Sequence, residues 1–367
     1  MDKVLLEDVC YILDNQRVPI TECDRKKGTY PYYGANGVQD YVDNYIFDDE
    51  LVLLAEDGGN FGSQEKPIAY RVSGKCWVNN HAHVLKAKDN IDVDYLCYSL
   101  MFYDVSSLIN GATRQKLTQS SMRKILIPLF SLEEQQRIAD ELDMVSVLIE
   151  KRQKQLEKLD LLIKSRFIEM FGDPLKNEKK WKKAKLKDIC NKIGDGLHGT
   201  PNYDDKGEYY FINGNNLENG AIRIYKETKK VNRREFEKHK IDLSVNSILL
   251  SINGTLGKLA YYREEPIVLG KSVCFLDIKE NYNKIFAYHI MRSESFQQYI
   301  NQNSTQSTIR NVGLKDLREI TLINPQLQIQ NKFANFVKYV EQSKTKIKNS
   351  LEKLITLKKA LMQKYFG

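Results

Sequence analysis

Apolar residues return every seventh position over two long stretches of the chain. In the first, Ile138, Leu142, Val145, Ile149, Leu156, Leu159 and Ile163 form two interleaved series that Met170 continues, with arginine at 152 and 166. In the second, Val337, Val340, Ile347, Leu351, Leu354 and Leu361 do the same, and lysine interrupts at 344 and 358. Neither stretch contains proline or glycine. The period predicts long helices over Leu132–Phe171 and Leu327–Phe366, each roughly 60 Å long at about 1.5 Å per residue. Gly172-Asp173-Pro174 stops the first. The first helix holds 9 acidic and 7 basic side chains, the second 2 and 9. Helices of opposite bias prefer each other to themselves, so an antiparallel coiled coil is expected.

The remaining sequence alternates on a shorter period. Leu51–Ala55, Ala69–Val72 and Cys76–Val78 read as strands, divided by turns at Asp57-Gly58-Gly59 and Ser73-Gly74-Lys75. Tyr95–Asp104 reads as a short helix. Further on, Tyr209–Ile212, Ser247–Ile252, Lys258–Tyr262 and Ser272–Ile278 read as strands, with turns at Asn219-Gly220 and Asn253-Gly254. Ile285–Ser293 and Glu294–Asn301 read as helices. The fold class is therefore α+β: globular αβ domains at 1–131 and 175–326, and long helices at 132–174 and 327–367.

The chain is written twice. Leu132, Gln135 and Ala139 match Leu327, Gln330 and Ala334 at an offset of 195, as do Thr113 with Thr308 and Phe171-Gly172 with Phe366-Gly367. Near the start, Leu5-Leu6-Glu7-Asp8-Val9-Cys10 matches Lys185-Leu186-Lys187-Asp188-Ile189-Cys190 at an offset of 180. The second copy thus carries about 15 extra residues in its interior. Matching ends with diverging interiors suit a shared frame that carries two different readers.

At 367 residues, the length fits two such copies, and no apolar run approaches the ~18 residues of a membrane span. Nothing near Met1-Asp2-Lys3 resembles an export signal. Cys10, Cys23, Cys76, Cys97, Cys190 and Cys274 form no CxxC pair. Reduced, mostly buried thiols in a cytoplasmic protein are expected. The net charge of +8 points to a polyanion only until it is divided. Residues 1–131 are net −4 and 175–326 net +8. The first globular part must therefore present a local basic face or borrow phosphate contacts from partners.

Catalytic motifs are missing. Gly270-Lys271-Ser272 lacks the first glycine of a P-loop. Gly194-Asp195-Gly196-Leu197-His198-Gly199 spells a dinucleotide fingerprint, but Thr200-Pro201 follows where a helix should. His81-Ala82-His83 lacks a third ligand at metal-site spacing, so a surface-facing polar pair is expected and metal is not. The globular parts carry instead side chains that read base edges and phosphates. The candidates in the first are Asn79, Asn80, His81, His83, Arg114, Gln115 and Lys116. In the second they are Asn213, Asn215, Asn216, Arg233, Arg234, Asn253, Lys258, Ser307 and Arg310. Each cluster also reads as a solvated loop.

Two variable parts, each followed by a repeated long helix, resemble the specificity subunit of type I restriction-modification enzymes. Gly74-Lys75-Cys76-Trp77-Val78-Asn79-Asn80-His81-Ala82-His83 is similar to a segment of that family's target-recognition domains. So are Gly194-Asp195-Gly196-Leu197-His198-Gly199-Thr200-Pro201 and Ile248–Lys258. The run from Ile127-Pro128 to Gln135-Gln136-Arg137-Ile138 resembles its proline-to-helix boundary, from which Gln328-Ile329-Gln330-Asn331 departs by lacking the acidic residue. The resemblance implies that each domain reads one half of a split, asymmetric double-stranded DNA site. It implies that the helices set the spacer and dock two modification (methyltransferase) subunits and, through them, restriction subunits. S-adenosylmethionine, ATP and magnesium would belong to those partners, and this chain would do no chemistry. Two other readings stay open: a type IIB specificity chain, and a coiled-coil adaptor that binds protein.

Overall fold

The computed structural model describes residues 2–111, 115–305 and 310–367. Candidates Arg114 and Ser307, and the repeat pair Thr113 and Thr308, lie outside the described residues. The chain forms two compact units, one of Met1–Lys154 with Lys348–Gly367, the other of Gln155–Ile347.

The first unit is built on a six-stranded sheet in the order Cys10–Ile12, Ala82–Ala87, Phe47–Ala55, Ala69–Val78, Lys27–Gly34, Gly37–Val42. All neighbours are antiparallel except Lys27–Gly34 beside Ala69–Val78. Leu51–Ala55 is buried on both faces, which explains its unbroken apolar run. The helix Val93–Met101 covers one face; its N-cap Asp92 accepts from the amides of Asp94 and Tyr95. The expected turn at Ser73-Gly74-Lys75 is absent. Ala69–Val78 is one strand, because the ladder to Phe47–Leu54 runs straight through Gly74.

The second unit repeats this plan. Its four-stranded sheet runs Cys190–Asp195, Val273–Ile278, Ser247–Ser251, Leu259–Tyr261, the order of the first four strands of the first unit. A parallel pair again follows, Tyr209–Ile212 beside Ile267–Leu269. The extra length lies between Ile212 and Ser247, which holds the hairpin Leu217–Ile222, the strand Lys230–Val231 and the helix Arg233–His239. At the hairpin tip Asn219 and Gly220 both take positive φ, 49° and 80°, as a tight primed turn requires. The helices Lys284–Met291 and Glu294–Gln302 fall where the pattern placed them. Five cysteines are buried and Cys23 is exposed.

The long helices run Leu132–Phe171 and Leu327–Phe366, unbroken over 40 residues each. In the first unit, Ile138, Leu142 and Val145 are buried with Leu361 and Tyr365 in one core. Ile149 and Leu354 are packed against it. The Tyr365 hydroxyl donates to Glu141 at 2.9 Å, so an early turn of one helix meets a late turn of the other. In the second unit, Ile163, Phe167 and Phe171 are buried with Phe333, Val337 and Val340, and Leu159 packs beside them. Lys344 Nζ donates to Asp160 at 2.9 Å. The pairing is antiparallel in both units. Leu156, Ile347 and Leu351 are half-buried. The seam lysines are not solvated interruptions. Lys344 is only 8% exposed and sits between Asp160 and Glu341. Lys358 lies 5.6 Å from the Tyr98 ring, and burial pushes its pKa down.

The repeated glutamines explain their own matching. Gln135 is fully buried; its Oε1 accepts from Asp92 N at 2.8 Å and its Nε2 donates to Phe130 O at 2.9 Å. Gln330 does the same with Asn283 N and Pro325 O, both at 2.8 Å. Each amide ties a long helix to the cap of the sheet-covering helix. Gln135→Ala strips these two backbone partners, so it is expected to cost about 2–6 kcal/mol at 1–3 kcal/mol per orphaned group. Urea unfolding of the variant checks this, and a cost under about 1 kcal/mol would contradict it.

Candidate nucleic-acid interface

In the first unit, four chain segments converge at one end of the sheet. Strand Phe47–Ala55 exits into Glu56-Asp57-Gly58, and strand Ala82–Ala87 is entered through Asn79-Asn80-His81. Glu56 N and Asp57 N both donate to His81 O. Asn36, beside the Gly34–Gly37 turn, donates to Gly58 O at 3.0 Å and accepts from Asn60 at 3.0 Å. The fourth segment is the base of the short hairpin Ile109–Asn110 with Lys116–Leu117, anchored by Leu117 N to Glu56 O at 2.7 Å.

Beneath these loops lies a buried charged network. His83 Nδ1 meets Asp14 at 2.7 Å and His83 Nε2 meets Leu117 O at 2.8 Å. Arg17 donates to Glu56 at 2.6 Å and to Ala82 O at 2.7 Å, and lies 3.6 Å from Asp14. Lys116 pairs with the other oxygen of Glu56 at 2.9 Å. Burial alone would raise the pKa of Asp14, but its bonds to His83, Val84 N and Gln119 hold it below its ordinary value. Glu56 is likewise lowered against burial by Arg17 and Lys116. Asp14, Glu56 and His83 are close enough to hold a cation. Arg17 and Lys116 already supply the positive charge there, and the donor set is that of an ion-pair network.

The second unit ends its sheet in the same way. Strand Ser247–Ser251 exits into Ile252-Asn253-Gly254-Thr255, and Val312 N donates to Ile252 O at 2.9 Å, the counterpart of Leu117 to Glu56. Gly254 N donates to Arg310 O at 2.9 Å. Ser272 Oγ donates to Asn213 Oδ1 at 3.1 Å and accepts from Gly214 N at 2.9 Å. Thr255 Oγ1 donates to Asn215 Oδ1 at 3.2 Å. Gly194 and Gly196 serve packing here. A Cβ on Gly196 would lie 2.2 Å from Leu269 O, so glycine lets this turn close against the neighbouring strand.

The candidates divide accordingly. Asn80, His81, Gln115 and Lys116 gather at the first sheet end, and Asn213, Asn215, Asn253, Lys258 and Arg310 at the second. His83 is corrected: it is fully buried with both ring nitrogens engaged, so His81-Ala82-His83 is no surface pair. The strand-end geometry sends His83 inward, where Asp14 and Leu117 O receive it. Asn79 is 3% exposed and spends its side chain on Gln39 and on His81 N. Asn216 is 6% exposed and caps its own turn through Asn213 N and Arg223 O. These two are scaffold residues. Arg233 and Arg234 are exposed on a helix whose Glu235 accepts from Asn202 N at 3.1 Å. The residue pattern missed Asn36, Asp57, Thr255 and Lys271, because only the tertiary fold brings these turns together.

One repeated frame thus carries two differently furnished sheet ends. Residues 1–159 and 178–357 match the family model described as type I restriction modification DNA specificity domain. The chain belongs to this family. A Haemophilus influenzae chain named for a type I restriction enzyme specificity subunit is 37% identical over 143 residues, 39% of this chain and 37% of that one. The StySPI specificity subunit of Salmonella potsdam is 23% identical over 351 residues, covering 86% of this chain and 74% of its own. The chain thus spans little more than a third of the Haemophilus relative's length. The crystal structure of the type I system S subunit from M. genitalium shares the fold, with a TM-score of 0.63 at 16% identity over 100% of this chain and 96% of that one. Among the described residues, no helix is long and apolar enough to cross a membrane.

Proposed function

We propose that this chain is the DNA-reading subunit of a type I restriction-modification complex in the cytoplasm, each unit reading one half of a bipartite, asymmetric site. One observation carries the reading. The two sheet ends share a backbone anchor, Leu117 N to Glu56 O and Val312 N to Ile252 O, yet present different side chains around it. A common frame with exchangeable contacts is what two different half-sites require. The long helices set the spacer and dock two modification subunits, which bring the restriction subunits with them. Methyl transfer and translocation, with S-adenosylmethionine, ATP and magnesium, belong to those partners, and this chain supplies recognition without catalysis.

Mapping methylated adenines in the host genome tests this. The expected motif is bipartite and disappears when the gene is deleted; a motif that persists would refute the reading. Removing one heptad from both helices, 149–155 with 349–355, is expected to keep both half-sites and shorten the spacer. Seven residues at about 1.5 Å make roughly 10 Å, at most about three base pairs of 3.4 Å. An unchanged spacer in a still-methylating complex would exclude the helices as a ruler.

A further inference from the structure

The second sheet end carries an imidazole that the candidate set leaves out. His198 follows the strand Cys190–Asp195, and its Nε2 meets Asp195 Oδ2 at 2.6 Å. Its side chain is 70% exposed, while Asp195 is 21% exposed. The turn that holds it is fixed on both sides. Leu197 N donates to Leu269 O at 2.7 Å, and Lys271 N donates to Leu197 O at 3.1 Å. Lys271 is exposed and precedes Ser272, whose hydroxyl holds Asn213. His198 therefore stands one residue from a backbone clamp on the segment that positions Asn213.

We propose, resting on the DNA-reading function above, that His198 is a phosphate-contacting residue of the second unit, held in place by Asp195. An exposed imidazole with one nitrogen bound by a carboxylate has a fixed ring plane and a second nitrogen free to face a ligand. A ring N–H that donates to an ionised phosphate oxygen makes a charge-assisted hydrogen bond. The surroundings suit an anion: the unit's globular part, 175–326, is net +8, and Lys271 flanks the turn. The first unit has a parallel arrangement from different strands. His81 Nδ1 meets Asp57 Oδ1 at 2.7 Å, with the imidazole 35% exposed and the carboxylate 15%. Phosphate contact rather than base readout is favoured, because a donor clamped at a sheet end fixes register on the duplex without reading it.

The test uses the whole complex, co-expressed with its modification subunits, and a duplex bearing the mapped methylation motif. Affinity is measured by fluorescence anisotropy across a salt series. His198→Ala is expected to weaken binding about 3- to 10-fold and to lower the slope of log affinity against log salt by about 1. The methylated motif should stay the same, and His198→Arg should restore affinity and slope. Unaltered affinity and slope in His198→Ala would overturn the proposal, as would a changed motif with an unaltered slope, which marks a base reader. Failure of Arg to rescue a weakened His198→Ala would also overturn it, since it marks a structural role. If the native complex binds no duplex at all, the DNA-reading function itself falls; if it binds and His198→Ala binds equally, only the present assignment does.

Discussion

Replacing Arg17 with methionine is expected to destabilise the first unit by about 3–5 kcal/mol, the cost of leaving buried charges without their partner. The Arg17 side chain is 12% exposed, and those of Asp14 and Glu56 are 5% and 11% exposed. Lys116 alone cannot replace it, because that side chain is 48% exposed and reaches only Glu56. Trp77 reports on this unit, since its Nε1 donates to Val18 O at 2.6 Å beside Arg17. Urea unfolding by Trp77 fluorescence in a Trp181→Phe background measures the change. Adding Glu56→Gln to Arg17→Met should recover part of the loss by removing one of the stranded charges. A single-variant cost under about 1 kcal/mol would show that the network is held by something other than the guanidinium.

Acid should act in the same direction. The folded pKa values of Asp14 and Glu56 lie below their ordinary values. Their contribution is therefore complete above the unfolded values near pH 4 and is lost as pH falls through the folded ones. Without Arg17 the folded pKa of Glu56 rises toward its unfolded value, so the variant should lose less stability than the native chain as pH falls through this range, and the gap between the two should narrow in acid. Ile252 stands at the place of Glu56 in the second unit, so this carboxylate is not repeated there.

The same contrast shows what the sequence could reveal. A seven-residue period is local, so Leu132–Phe171 and Leu327–Phe366 were legible residue by residue. Asn219-Gly220 was legible because two positive φ angles in a row demand that pair. The sheet ends were not. Asp57 and His81 are 24 residues apart, Asn36 and Gly58 22, and His83 and Asp14 69. No local pattern encodes such meetings, so His83 passed for a reader while Asp14 and Arg17 drew no attention. The strand Ala69–Val78 was divided wrongly because a ladder from the neighbouring strand overrides a turn-forming tripeptide. Charge misled in a different way. The acidic total of residues 1–131 includes Asp14, Glu56 and Asp57, which are committed to internal partners.

Grafting residues 1–131 from another specificity chain is expected to change one half-site completely and leave the other as it was. All four converging segments of the first sheet end, with Asp14, Arg17, Glu56 and His83, travel together in that span. The graft also replaces the surface that receives the end of the second long helix, and this sets a condition. Tyr95 is fully buried, its ring 5.2 Å from Phe366 and 6.2 Å from Phe130, and its hydroxyl donates to Pro128 O at 2.8 Å. Tyr98 donates to Asp143 and lies under Lys358. An incoming domain without aromatic side chains at these two positions forfeits that packing, at about 3–5 kcal/mol for a buried ring. Such a graft should methylate poorly until Tyr95 and Tyr98 are restored, and then methylate at the new half-site. Mapped adenines decide the matter. If both half-sites change, the two readers are not independent; if restoring the tyrosines leaves methylation poor, that packing is not what limits the graft.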